Sequence, residues 1–141
     1  MELICRIWRA LLRRRVPDSR SRQTEDMRRQ DQRVKEILSF LHTHFQEPLR
    51  IHDIARAAAV SRTECFRCFQ TVLGKSPGEY LTEYRLSAAA SLMIRSEKPL
   101  AEIAHLCGFR SPSYFGKVFR EKCGIPPGKF REQFRGLPEK D

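Results

Sequence analysis

Residues 51–58 and 100–107 of this 141-residue chain share one pattern, and a chain that repeats itself once is restricted to folds built from two like units. Ile51-His52-Asp53-Ile54-Ala55-Arg56-Ala57-Ala58 matches Leu100-Ala101-Glu102-Ile103-Ala104-His105-Leu106-Cys107 at an offset of 49. Both copies set apolar residues at i, i+3, i+4 and i+7, the one-sided stripe of a short amphipathic helix. Val60 then pairs with Phe109. After one inserted residue at the turn the offset is 50, pairing Ser61 with Ser111, Cys65 with Phe115, Arg67 with Lys117 and Phe69 with Phe119. Gly74 with Gly124, Pro77 with Pro127 and Tyr80 with Phe130 extend the match. A solenoid needs three or more copies to bury a continuous core, so two related subdomains are the better reading.

Each copy predicts helix, short turn, helix. In the first, Ser61-Arg62-Thr63-Glu64 forms a capping box at the start of the second helix and Gly74 closes it. In the second copy Ser111 caps and Pro112 takes the first helical position. Cys65, Phe69, Val72 and Leu73 form the inward face of one such helix, and Phe115, Val118 and Phe119 that of the other. Thr63, Arg67 and Gln70 then point outward, as do Ser113, Lys117 and Arg120. The two outward faces correspond, each with a cation among small polar groups, which is chemistry suited to phosphates and base edges. A helix-turn-helix lays its second helix in the major groove of DNA.

Between the copies, Ser76 to Arg95 predicts one uninterrupted helix of roughly 19 residues, ~28 Å long at 1.5 Å per residue. Ser76 is its N-cap, Pro77 its first residue and Glu79 the acid three residues on. Its apolar residues make two stripes: Leu81, Tyr84, Ala88 and Leu92 on one, Leu86, Ala89 and Met93 on the other. A helix with two apolar faces needs a neighbour on each.

With these residues assembled, the sequence resembles the DNA-binding domain of the AraC/XylS family of bacterial transcription regulators. The resemblance is carried by Asp53-Ile54-Ala55, Val60-Ser61, Tyr80-Leu81, Arg85-Leu86, Ala89 and Leu92-Met93 in the first half and linker. In the second half it rests on Glu102-Ile103-Ala104, Gly108-Phe109, Ser113-Tyr114-Phe115, Phe119 and Gly124-Ile125-Pro126-Pro127. It runs from about Val34 to about Phe134. It implies an all-α fold of about seven helices, in two helix-turn-helix subdomains joined by the long central helix. It also implies base-facing positions at Thr63, Phe66 and Arg67, and at Pro112, Ser113, Tyr114 and Lys117. Ser61 and Ser111, with their helix N-termini, are expected at phosphates, and Arg62 is a further candidate contact. Arg85 is expected to make structural bonds. Three departures stand out: Phe66 where a polar base-reader is common, Arg50 and Pro99 where serine caps are usual, and Ala59 in place of a turn glycine.

Composition agrees with a polyanionic partner: Lys+Arg 27 against Asp+Glu 17 gives a formal charge of +10, though charge alone is weak evidence. No run of about 18 apolar residues is present to span a membrane. Residues 33–135 hold the double helix-turn-helix domain, and residues 136–141 form a short tail of breakers and charge. Residues 16–32, rich in charge, serine and glutamine, are expected to be a solvated linker. Residues 1–15, MELICRIWRALLRRR, place Leu3, Ile4, Ile7, Trp8, Leu11 and Leu12 opposite arginines, as an extra amphipathic helix would. A membrane surface, a partner or dimer helix, and a remnant of a longer regulator or a poorly ordered segment all remain open for it. The module leaves too little chain for a β-barrel sensory domain.

The five cysteines, Cys5, Cys65, Cys68, Cys107 and Cys123, are an odd number and are expected to be reduced. Cys65-Phe66-Arg67-Cys68 lies inside a helix, unlike a redox CxxC, and no second ligand pair completes a zinc site. No P-loop, GxSxG, HExxH or dinucleotide fingerprint appears, and no cysteine has the Pro-Cys-His context of a DNA-repair alkyl acceptor. Neither enzyme activity, metal nor cofactor is expected. The expected function is that of a cytoplasmic, nucleoid-associated activator that binds double-stranded DNA and contacts RNA polymerase. Oligomeric state is left open. The rival is a protein-interaction module that keeps the fold but has little affinity for DNA.

Overall fold

The computed structural model describes residues 22–135. The expected N-terminal amphipathic helix at 1–15, the first part of the expected linker and the tail at 136–141 lie outside the described residues. Among those described, the chain forms seven helices and no strand: α1 Arg22–His44, α2 Ile51–Ala57, α3 Arg62–Leu73, α4 Pro77–Arg95, α5 Leu100–Leu106, α6 Pro112–Cys123 and α7 Pro127–Phe134.

One boundary differs from the sequence reading. Helix α1 begins at Arg22, so residues 22–32 of the expected linker are helical. Their composition is polar, but it contains no glycine or proline and is dominated by good helix formers. The turns at Val34, Ile37 and Leu41 are anchored by burial in the first core, and extending an existing helix costs less than starting one because each further residue adds a hydrogen bond. Residues 25–29 stay exposed, so the segment is solvated as expected while remaining ordered.

Two apolar cores flank the central helix α4. The first joins Val34, Ile37 and Leu41 of α1, Ile54 of α2, Cys65, Cys68 and Phe69 of α3, and Tyr80 and Leu81 of α4. The second joins Leu86, Ala89 and Met93 of α4 with Ile103 of α5 and with Phe115, Val118 and Phe119 of α6. Within it the rings of Phe115 and Phe119 meet edge to face at 5.7 Å, and that of Phe119 meets Phe130 of α7 at 5.2 Å. The two stripes predicted on α4 are therefore divided by length as well as by angle. Ala88 and Leu92, expected beside Leu81 and Tyr84, pack on the second core instead. The helix passes from one subdomain into the other, so each subdomain sees only one half of it.

Arginines finish the helix ends. Arg85 of α4 donates from Nε to the Phe45 carbonyl and from Nη2 to the Glu47 carbonyl, both at 2.8 Å. Arg131 of α7 donates to the carbonyls of Met93 and Ser96, both at 3.1 Å. These carbonyls lie at or just past the ends of α1 and α4, where intrahelical partners run out. Arg85 thus has the structural role expected of it. Ala59 is left-handed at φ 54°, as the missing turn glycine implied, while its counterpart Gly108 has φ 88°.

His42 links α1 to the central helix: its Nε2 lies 2.5 Å from the Tyr80 hydroxyl, and its ring stacks on Tyr84 at 4.5 Å between centroids. Burial lowers the His42 pKa below its ordinary 6.5, favouring a neutral ring that shares a hydrogen bond with the phenol. A base with a depressed folded-state pKa binds fewer protons when folded, so stability is full above the ordinary value and falls as pH drops below it. Urea midpoints measured at about pH 7.5 and about pH 5.5 should fall on acidification more for the wild type than for His42→Gln. Equal falls would show that other groups carry the pH dependence.

Candidate nucleic-acid interface

Three serines set the starts of the helices that matter for the site. Ser61, Ser76 and Ser111 accept the backbone N–H of Glu64, Glu79 and Tyr114 at 3.1, 3.1 and 3.0 Å. Each hydroxyl satisfies one of the orphan donors of its helix. In α3 the N–H groups of Arg62 and Thr63 are left for solvent or an anion, whereas in α6 Pro112 has none and that of Ser113 is left. Helices α3 and α6 both end in a left-handed glycine, Gly74 at φ 71° and Gly124 at φ 84°. By contrast, Arg50 and Pro99 provide no side-chain cap, as expected. The start of α2 is held from the other direction, with the Arg50 N–H donating to Asp53 Oδ2 at 2.9 Å.

The apolar faces of α3 and α6 are fully engaged, which decides what is left outside. In α3 Cys65, Cys68 and Phe69 are buried, and Ser61, Arg62, Thr63, Phe66, Arg67 and Gln70 are exposed. In α6 Phe115, Val118 and Phe119 are buried while Pro112, Ser113, Lys117 and Arg120 are exposed. Ser111 and Tyr114 are half-buried. The Tyr114 ring packs near Phe109 and is covered by the Arg110 guanidinium, 4.4 Å from its centroid. Tyr114 therefore offers less surface than its position alone suggests, whereas Phe66 offers more: it is 46% exposed. A large apolar ring left outside on a face of cations and hydroxyls makes an apolar contact available beside polar ones.

Two features of the interface were not visible in the sequence. Glu64 reads there as the second half of a capping box, but its carboxylate is engaged elsewhere. Arg33 of α1 donates to it at 2.8 Å and Arg67 pairs with it at 2.8 Å. The Arg67 hydrogen bond holds the Glu64 carboxyl below the usual carboxylate range against partial desolvation, with Cys68 and Arg33 assisting. Arg33 is 31 residues from Glu64, and no local pattern connects them. Cys68 was not assigned to the core either, yet it is fully buried.

The cysteine chemistry follows from burial. Desolvation pushes the thiols of Cys65 and Cys107 up to about 11, and raises those of Cys68 and Cys123. A protonated, buried thiol is a poor nucleophile, so Cys65, Cys68 and Cys107 act as core filler, while Cys123 is half-buried against the second core. No cluster of three or more His, Cys, Asp or Glu able to hold a metal occurs among the described residues. No helix among them is long and apolar enough to cross a membrane.

Comparison with known proteins points the same way as the geometry. A family model described as a helix-turn-helix domain matches residues 54–133. The Bacillus subtilis protein named uncharacterized HTH-type transcriptional regulator YdeC is 33% identical over 100 residues, covering 71% of this chain and 34% of that protein. Among solved structures, a Chromobacterium violaceum transcriptional regulator with an AraC-type DNA-binding domain superposes with a TM-score of 0.70 at 34% identity, covering 76% of this chain and 95% of that one. The DNA-binding domain of AdpA, solved in complex with a target DNA, superposes with a TM-score of 0.69 at 29% identity, covering 72% of this chain and 91% of that one. The chain spans about a third of the length of the curated relative.

Proposed function

Because the chain belongs to the AraC-type helix-turn-helix family of transcription regulators, we propose that it binds double-stranded DNA sequence-specifically by placing α3 and α6 in successive major grooves. The observation that carries this reading is the pair of equivalent outward faces, each on a capped helix packed against the same rod. Arg67 and Lys117 occupy corresponding positions on them and would hydrogen-bond base edges, with Thr63 and Ser113 beside them. Phe66 would lie against thymine methyl groups, and Pro112 and the free edge of Tyr114 would add apolar contact in the second groove. Ser61 and Ser111, with the open N–H groups of their helix starts and with Arg62, would hold phosphates. The AdpA domain, a structural relative, is described with its target DNA, and the formal charge of +10 favours association with a polyanion.

Selection of bound duplexes from a random pool would define the site. Arg67→Ala should then relax base preference in one half of it and Lys117→Ala in the other, each by about 1–3 kcal/mol of discrimination. If both variants weaken every sequence equally, the two side chains contact only phosphates. In this reading the bound chain works in the cytoplasm and recruits RNA polymerase as an activator. Transcription from a promoter carrying the selected site should rise with added protein, and a fall would mark a repressor.

A further inference from the structure

Glu64 is the acidic residue in the first turn of α3, and three groups converge on its carboxylate. Arg33 Nη1 donates to Oε1 at 2.8 Å, Arg67 Nη2 donates to Oε1 at 3.0 Å and reaches Oε2 at 2.8 Å, and the Cys68 thiol lies 3.4 Å from Oε1. We propose that Arg33 and Glu64 are positioning residues that set the Arg67 guanidinium for base reading, a role that rests on the DNA-binding function proposed above.

The physical case begins with exposure. The Arg67 side chain is 65% exposed, against 21% for Glu64 and 38% for Arg33. A long exposed side chain samples many rotamers and loses that freedom on binding, so holding it beforehand lowers the cost of recognition. Glu64 does this by engaging Nη2, which fixes the plane of the guanidinium and the directions in which its remaining N–H donors point. A glutamate on its own helix surface would itself be loose. Arg33 ties it to α1, whose next residue, Val34, is buried in the first core. The chain Val34–Arg33–Glu64–Arg67 thus connects a packed core to a reading group.

The second reader lacks this device. By the repeat, Tyr114 stands where Glu64 does, so Lys117 has no carboxylate at the equivalent place, and Arg110 lies over the tyrosine ring. An ammonium on a flexible stem is a less directional donor than a held guanidinium. The two halves of a bound site should therefore be read with unequal sharpness.

The test is fluorescence anisotropy with the wild-type chain and variants, using the selected duplex and duplexes changed at one base pair in either half. Arg33→Ala and Glu64→Ala should each reduce discrimination in the Arg67 half by about tenfold, the order of one base-edge contact. Both should leave the Lys117 half unchanged. Arg33→Lys should retain most of the discrimination, because it keeps the ion pair. General affinity for duplex should move oppositely in the two alanine variants, since one removes a positive and the other a negative charge. A common fall in discrimination therefore excludes a simple charge effect. In an Arg67→Ala background neither substitution should change discrimination further, and thermal unfolding of each variant would show that the fold is kept. Unchanged or sharper discrimination in Glu64→Ala would overturn the proposal, because Glu64 would then be withholding Arg67 from DNA or idle. A wild type with no sequence preference would overturn the DNA-reading function itself, and this inference with it.

Discussion

Replacing Gly108 by alanine should lower the stability of the chain by about 3–5 kcal/mol, while replacing Ala59, its counterpart in the first repeat, by glycine should change it by less than about 1 kcal/mol. Both residues are left-handed, at φ 88° and φ 54°, and left-handed backbone costs an ordinary residue about 1–2 kcal/mol. Alanine already bears that cost at position 59. Removing it with glycine is offset by the extra freedom glycine gives the unfolded chain, so the net change is small. At position 108 the conformational cost is new, and a second one joins it. A Cβ there would lie 2.4 Å from the Phe45 carbonyl oxygen and 2.8 Å from Arg85 Nε. Those two atoms are already joined by a 2.8 Å hydrogen bond, so the contact can be relieved only by loosening a charged clamp, worth roughly a further 1.5–3 kcal/mol. Urea unfolding should show a large drop in midpoint for Gly108→Ala with little change in slope, and almost none for Ala59→Gly. A small effect at both positions would mean that the approach of Gly108 to the Arg85 clamp is not tight.

This contrast also shows what was legible in the sequence. The repeat, the caps at Ser61, Ser76 and Ser111 and the unbroken run to Arg95 are local patterns, and helices α2 to α6 follow them, while the count of seven comes from the family resemblance. Ala59 could be flagged because it stands where the resembled family has a turn glycine, and it is left-handed at φ 54°. That Gly108 also needs space was hidden, because the obstructing atoms belong to Phe45 and Arg85, far away in the chain. The expected linker extended too far, to residue 32, for a different reason. Apolar periodicity reports burial, and residues 25–29 are helical without being buried. The outward faces of α3 and α6 could be read from their inward ones, since a helix with a known core side has a known opposite side. The Glu64 ion pairs were not legible, because a carboxylate at the third helical position has a perfectly good local explanation.

If α3 and α6 read successive grooves as proposed, the largest effect expected on binding concerns the spacing of the two halves of the DNA site. The two cores share one uninterrupted 19-residue helix, about 28 Å long at 1.5 Å per residue. They also touch directly, since Phe45 packs against both and Gly108 of the second half abuts the Phe45 carbonyl that Arg85 holds. Bending the molecule at its middle would break that contact, so the contact opposes bending between the two halves. Inserting about 5 bp between the half-sites turns one of them to the opposite face of the duplex, at roughly 10–10.5 bp per turn. Only one reader can then bind, and affinity should fall by about 10²-fold or more, the gain that a second tethered contact normally provides. Inserting about 10 bp restores the face but adds ~34 Å to the separation, more than the full length of α4. Affinity should therefore remain low at 10 bp. Two readers on a flexible tether would behave differently, recovering much of their affinity once the faces realign. Measured at one fixed salt concentration, because phosphate contacts make affinity steeply salt-dependent, recovery at 10 bp would contradict a rigid two-groove reader.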